Sequence, residues 1–197
     1  MNDMAFDDPD AIPDDALLVL FSNGDQAAAA ILTARLGPRV LSQAWRMLGD
    51  RAEAEDVTQE AMMRLWKIAP DWRQGEARVT TWLYRVTANL CTDRLRRRRG
   101  GTTDIDDVPE PADPAKPVDE QMQQRSRMAA LQGALDALPD RQKQAVILRH
   151  LEGLGNPEIA EIMEISTEAV ESLTARGKRA LSQILAGRRD ELGYQDD

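Results

Sequence analysis

Apolar residues recur every three or four positions through two stretches of the chain, about 14–99 and 119–190, and sustained alternation occurs in neither. A period near 3.6 with no period of two predicts an all-α fold. The pattern is that of two small helical domains joined by a flexible acidic linker. In the first, Asp15 is placed to cap a short helix over 16–21, and Asn23-Gly24 turns the chain. Asp25 caps a second helix through Leu36, Gly37 stops it, and Pro38 opens a third that ends at Gly49. A helix over 52–68 follows, with Val57, Ala61, Leu65 and Ile68 as its buried stripe and Pro70 as its stop. After a loop over 71–78 comes the longest predicted helix, 79–98, with Val79, Leu83, Val86 and Leu90 inward. In the second domain, Leu131, Leu135 and Leu138 line one helix before Pro139. Ala145, Ile147, Leu148 and Leu151 line the next, which ends near Gly153 and Gly155.

Residues 100–118, GGTTDIDDVPEPADPAKPV, interrupt this order. Rich in Pro and Asp and without an apolar period, they cannot bury enough surface to repay ordering and read as a flexible or extended linker. Residues 1–13 read as an acidic tail. The net charge of −9 argues at first against a nucleic-acid partner, since phosphate contacts need positive charge. Its distribution changes that reading. Residues 1–28 carry seven acids and no Lys or Arg, and residues 101–128 carry a balance of −4, which leaves +2 for the remainder. Arg94, Arg96, Arg97, Arg98 and Arg99 crowd one helix end, and Arg176, Lys178, Arg179, Arg188 and Arg189 form a second basic cluster. A single cysteine, Cys91, excludes an internal disulfide. With His150 the only histidine, a Cys/His zinc site has no ligands, so no metal and no cofactor is expected. The acidic start lacks the basic and apolar segments of a secretory signal, and no apolar run is long enough to span a bilayer; a cytoplasmic location without membrane contact is expected.

Three surfaces stand apart from the core stripes. Asp56, Gln59, Glu60 and Met63 share one face of helix 52–68, beside Met62 and Trp66. Such a face is either plain solvated helix or a partner surface, and Met and Trp beside acids favour the latter. On helix 79–98, Thr81, Arg85, Asn89, Thr92, Arg96 and Arg99 form a ribbon flanked by Trp82 and Tyr84. It extends along about 27 Å of helix, at about 1.5 Å per residue. Arginines grip phosphates, an amide bonds a base edge and an aromatic stacks on an unpaired base, a combination suited to single-stranded or melting DNA. A basic helix end complementing its own dipole is the alternative for the arginines alone. Finally, residues 156–173 carry a helix-turn-helix pattern. Asn156 caps and Pro157 takes the first position, Ile159 and Met163 point inward and Ala160 permits close approach. Ile165 fills the corner, Ser166 caps again, and Val170 and Leu173 pack back. The outward face of the second helix offers Glu168, Glu171, Ser172, Ala175, Arg176 and Arg179 to duplex DNA, while a plain helical hairpin remains the alternative.

Over residues 14–186 the sequence resembles the extracytoplasmic-function group of the sigma-70 family. The stretch GDRAEAEDVTQE over 49–60, TWLYRV over 81–86 with Ala88-Asn89-Leu90 and Asp93, LPDRQ over 138–142 and Glu158-Ile159-Ala160 carry the resemblance. It implies a non-enzymatic factor that directs RNA polymerase to promoters. The face of Asp56, Gln59, Glu60 and Met63 would bind the clamp helices of the largest polymerase subunit. The loop 71–78 with Trp82, Arg85, Asn89 and Arg96 would recognise and help melt the −10 element. Glu171, Ser172, Ala175, Arg176 and Arg179 would meet the −35 element in the major groove. The implied partners are the polymerase core, including its flap, promoter DNA and an anti-sigma factor, with the linker passing through the polymerase cleft. Three residues depart from the pattern of the group: Glu164, where the helix-turn-helix corner usually has Gly, and Glu171 and Leu173, where many relatives are basic; Gly177 further weakens its helix by about 1 kcal/mol relative to Ala unless it permits close helix packing. A stand-alone helix-turn-helix regulator and a helical adaptor without DNA binding are the rival readings. Neither needs both the ribbon and the acidic face. An enzyme is disfavoured, since no nucleophile–base pair or phosphate loop is present.

Overall fold

The computed structural model describes residues 12–75, 77–100 and 118–187, and among these it contains helices and turns and no strand. The acidic tail apart from its last two residues, all but the ends of the linker, and Arg188 and Arg189 lie outside the described residues. The chain forms two compact units, of which residues 1–91 make most of the first and 92–160 with 165–197 make the second.

In the first unit, α1 (Asp14–Ser22), α2 (Gln26–Leu48), α3 (Arg51–Ile68) and most of α4 (Val79–Gly100) follow in order. Asp25 caps α2 by accepting from the backbone N–H of Ala27 and Ala28, and Asp50 caps α3 by accepting from Glu53. Gly49, at φ 70°, closes α2 in the left-handed region that glycine enters without steric cost. The predicted break at Gly37-Pro38 does not occur: α2 runs through both residues for 23 positions and is the longest helix, one residue longer than α4. An interior proline costs about 3 kcal/mol. Here Pro38 and Ala34, the residue whose carbonyl loses its partner, are both exposed, so water can supply the missing donor. Against that cost stand Leu32, Leu36, Val40, Ala44 and Met47, all buried along one unbroken stripe, each large side chain contributing about 1.5–3 kcal/mol. Packing wins. α2 lays this stripe on α3, whose inward residues are Ala54, Val57, Ala61, Met62 and Leu65. Ile68, predicted to continue that stripe, is only half-buried at the helix end.

α4 buries Val79, Leu83, Tyr84, Thr87, Ala88, Leu90 and Cys91, while Val86 is half-buried. Tyr84 therefore belongs to the core and not to the rim of the ribbon. It lies one residue round the helix from Arg85, on the side facing Leu36 and Val40 of α2, where its carbonyl accepts from the fully buried Gln43 side chain at 3.2 Å. Thr81 is also buried, so the exposed ribbon begins at Arg85.

The second unit contains α5 (Val118–Asp136), α6 (Asp140–Val146), a π turn (Ile147–Leu151), α7 (Asn156–Met163) as far as Ala160, and α8 (Thr167–Ala186). α8 packs on α6 and α5. Ala130, Ala134, Leu135, Leu138, Ala145, Ile147, Leu148, Ile159 and Val170 are buried. Lys143 is buried too, its ammonium donating to Asp136 at 2.6 Å, which ties the start of α6 to the end of α5. Asn156 does not cap α7. The cap residue is Gly155, whose N–H donates to the Glu158 carboxylate at 3.1 Å, and Pro157 stands at the second helical position. A side chain three residues inside the helix thus satisfies the entry N–H, the returning half of a capping box. The Asn156 amide instead donates to Glu171 of α8 at 3.3 Å and bridges the two helices of the motif.

At the corner, the N–H of Ile165 donates to the Ala160 carbonyl at 3.1 Å, five residues back, with Glu164 at φ 54° between them. This is a Schellman closure whose left-handed position carries Glu where the motif favours Gly. A side chain there costs about 1–2 kcal/mol, and glycine gives back part of that gain through its freer unfolded chain. Glu164→Gly is therefore expected to stabilise the protein by about 0.5–1 kcal/mol, read as a rise in the urea midpoint; no rise would mean the turn carries no strain.

Candidate functional site

Three exposed faces are built by these helices. On α3, Val57, Ala61 and Leu65 fix the inward side, which leaves Asp56, Gln59 and Met63 exposed and Glu60 half-exposed on the other. Met63, 62% exposed, is the most exposed large apolar side chain among the described residues. Arg64 pairs with Glu60 one turn along the helix. Beside this face an open groove of about 360 Å³ lies between α2 and α3, floored by Leu41, Met62 and Trp66 and edged by Gln59 and Met63. Met62 is buried at its base, and Trp66 packs against Phe21 of α1 at 4.8 Å between ring centroids. Of the three apolar residues that the sequence places by the acids, only Met63 stands out into solvent.

On α4, Arg85, Asn89, Arg96 and Arg99 are exposed and Thr92 is half-buried along the face opposite the core. Arg96 pairs with Asp93 at 3.3 Å, an exposed i,i+3 contact worth little in water, so the guanidinium remains available to a phosphate. Trp82, half-buried at the head of this face, meets Trp72 edge-to-face at 6.2 Å and 86°. Trp72 leads the loop 72–78 out of the short turn Ala69–Asp71, so loop and helix share one aromatic contact. The start of α4 is held by Asp15, which does not cap its own helix: α1 follows Pro13 with no side-chain cap, and the Asp15 carboxylate accepts from the Val79 N–H at 3.1 Å.

On α8, Ser166 caps by accepting from Ala169 at 3.2 Å, and Val170 and Gly177 are buried. That orientation exposes Glu168, Glu171, Ala175, Arg176 and Arg179, with Ser172 half-buried among them. The Arg176 guanidinium donates to the Ser172 hydroxyl at 2.6 Å, which holds it along the helix surface. Glu171 is held by Asn156. Glu168 is kept below the usual carboxylate range by its own backbone N–H, then by the Ser166 hydroxyl, so the helix start carries a firm negative charge. Partial burial, then Lys178 and Arg149, lower the pKa of His150 and favour the neutral imidazole. Among the described residues no group of three or more His, Cys, Asp or Glu could hold a metal ion, and no helix is long and apolar enough to cross a membrane. Cys91 is buried.

The predicted site residues thus fall on three helices, each set on one exposed face. Sequence reasoning missed Asp15 as a partner of α4 and Asn156 as a partner of Glu171. Both are long-range contacts for which the local pattern holds no signal.

Comparison with known proteins gives this arrangement a lineage. The family model "Sigma-70 region 2" matches residues 32–100 and "Sigma-70, region 4" matches residues 128–181. The chain is 37% identical over 175 residues to the ECF RNA polymerase sigma factor SigE of Mycolicibacterium smegmatis, covering 85% of this chain and 66% of that relative, just under two thirds of its length. It is 30% identical to the ECF RNA polymerase sigma factor SigW of Bacillus subtilis, covering 82% of this chain and 91% of that one. Among solved structures, CnrH in complex with the cytosolic domain of CnrY superposes with a TM-score of 0.67 at 25% identity, over 88% of this chain and 97% of CnrH. With both regions matched in order, on a helical frame that presents each face to solvent, the chain belongs to the ECF group of the sigma-70 family of RNA polymerase sigma factors.

Proposed function

We propose that the chain divides the work of initiation between a domain over 14–99, which binds core polymerase and the −10 element, and a domain over 119–190, which reads the −35 element, with residues 100–118 as the tether through the polymerase cleft. Asp56, Gln59, Glu60 and Met63 meet the clamp helices of the largest subunit, and the C-terminal domain sits at the flap. Trp82, Arg85, Asn89 and Arg96 hold the non-template strand of the −10 element in single-stranded form. Unstacking a base costs a few kcal/mol, which stacking and edge contacts on the protein offset. Glu171, Ser172, Ala175, Arg176 and Arg179 lie in the major groove at −35. The factor carries out no covalent chemistry and works in the cytoplasm. The observation that carries the reading is the exposure of Arg85, Asn89 and Arg96 along one side of α4 while Leu83, Ala88, Leu90 and Cys91 are buried on the other.

CnrH has a cytosolic domain of another protein bound to it. That supports an anti-sigma factor as a further partner of this chain, which would sequester the same exposed faces from polymerase.

Transcription in vitro with core polymerase on a randomised promoter library tests the function: specific transcripts are expected, and none with the protein present would refute it. Asp56→Lys tests the α3 face. Reversing an exposed charge in an interface alters association without disturbing the fold. Polymerase affinity is expected to fall several-fold while promoter opening by the assembled holoenzyme stays unchanged. Unaltered affinity would remove Asp56 from the contact.

A further inference from the structure

The start of α4 cannot cap itself. Its first turn holds no acid, and the residue before it is Arg78, whose side chain has donors only. The free N–H groups and positive dipole of a helix start call for an oxygen acceptor, best a charged one. Asp15 supplies it from α1, accepting from Val79 at 3.1 Å. The same residue's backbone carbonyl accepts from the Gln74 side chain at 3.5 Å, so Gln74 and the first residue of α4 meet the same residue of α1. α1 is itself anchored on α2: Arg35 donates to the Asp14 carboxylate at 2.7 Å and to the Ile12 carbonyl at 2.8 Å. From α2, then, a series of hydrogen bonds runs through α1 to Gln74 and Val79, and Trp82, the fourth residue of α4, is in edge contact with Trp72.

We infer that Asp15 is a positioning residue for promoter opening: it holds Gln74 and the first turn of α4 in the geometry that receives the unpaired −10 strand. This rests on the proposed assignment of the loop 72–78 and α4 to the −10 element. Asp15 touches no DNA in this account. It sets in advance the angle at which Trp82, Arg85 and Asn89 are presented, so that this placement is not left to the moment of strand capture.

The test uses holoenzyme assembled from core polymerase and the full chain. A pool of single-stranded DNA randomised over the −10 positions is first selected by the wild-type holoenzyme, and the selected oligonucleotide is the probe. Asp15→Ala is expected to weaken probe binding and open-complex formation about fivefold, the scale of a lost helix cap, with core-polymerase affinity unchanged. Asp15→Asn keeps a capping oxygen and is expected to return probe binding to within about twofold of wild type. Wild-type probe affinity in Asp15→Ala would overturn the inference. So would an equal loss of core affinity, which marks general damage to the domain, or equal losses in the Ala and Asn variants. If the wild-type holoenzyme itself selected no single strand, the −10 assignment would fail instead.

Discussion

Replacing Gly177 by valine is expected to cost the protein about 2–3 kcal/mol and to shift the folding equilibrium of the C-terminal unit by roughly 30- to 150-fold. Gly177 lies in the middle of α8, where glycine is about 1 kcal/mol worse than alanine by intrinsic preference. The packing explains its presence. A Cβ at this position would lie 2.5 Å from Val146 Cγ2 and 3.2 Å from the backbone carbonyl of Gln142. The valine methyl could swing aside, but the carbonyl belongs to α6 and cannot move without the helix. α6 and α8 meet more extensively than any other helix pair of the second unit, so the distortion would reach the whole of α8. Alanine should cost less than valine, since its helix preference returns part of the strain. Urea unfolding of the full chain reads the effect, with the midpoint falling by about 1 M for a small domain. Combining Gly177→Ala with Val146→Ala should recover stability beyond the sum of the single changes, because the clash is shared between those two residues. Simple additivity would show that the Val146 methyl is not part of the close approach that Gly177 permits.

The same glycine shows what sequence patterns reveal and where they stop. From the sequence alone Gly177 reads as a weak point unless a neighbour approaches closely; that a neighbour does is a fact of tertiary packing. Most helix positions, the caps Asp25 and Ser166, and the separation of core from exposed faces follow from local chemistry and were legible. So was the conflict at Glu164, whose positive φ matches the turn the motif requires. Other features were decided elsewhere. Pro38 signals a helix start by every local rule, yet the stripe running on both sides of it is buried as one surface. Tyr84 looks like a stacking platform beside Arg85, but one residue of helical rotation turns it onto α2. Asp15 and Asn156 both read from the sequence as caps, yet each lies in the first turn of its helix. Each instead spends its side chain on a distant element, Val79 and Glu171. For Pro38, Asp15 and Asn156 a local preference of about 1–3 kcal/mol was open to being outweighed by contacts between residues far apart in sequence.

Alanine at Asn89 is expected to weaken open-complex formation by about 1–3 kcal/mol, the range for a side-chain amide bonded to a base edge, which is roughly fivefold to 150-fold. The substitution isolates function from folding unusually well. Asn89 is exposed on α4, and no hydrogen bond among the described residues holds its amide. Alanine is the better helix former, so the helix gains where the contact is lost. Stability should stay within about 0.5 kcal/mol of wild type, which urea unfolding verifies. Binding to core polymerase should also be unchanged, because Asp56, Gln59, Glu60 and Met63 belong to a different helix, α3. The arginines on the same ribbon, Arg85 and Arg96, would still grip the backbone and keep the strand near, since phosphate contacts position without reading sequence. What should disappear is discrimination at one −10 position: the variant should open a promoter and its single-base mutant with nearly equal efficiency. Equal losses in polymerase affinity and in opening would mean that Asn89 serves the fold or the clamp contact. Undiminished base discrimination would move the reading of the unpaired strand to the loop 72–78, and Asn89 would then be an ordinary solvated residue on a basic helix.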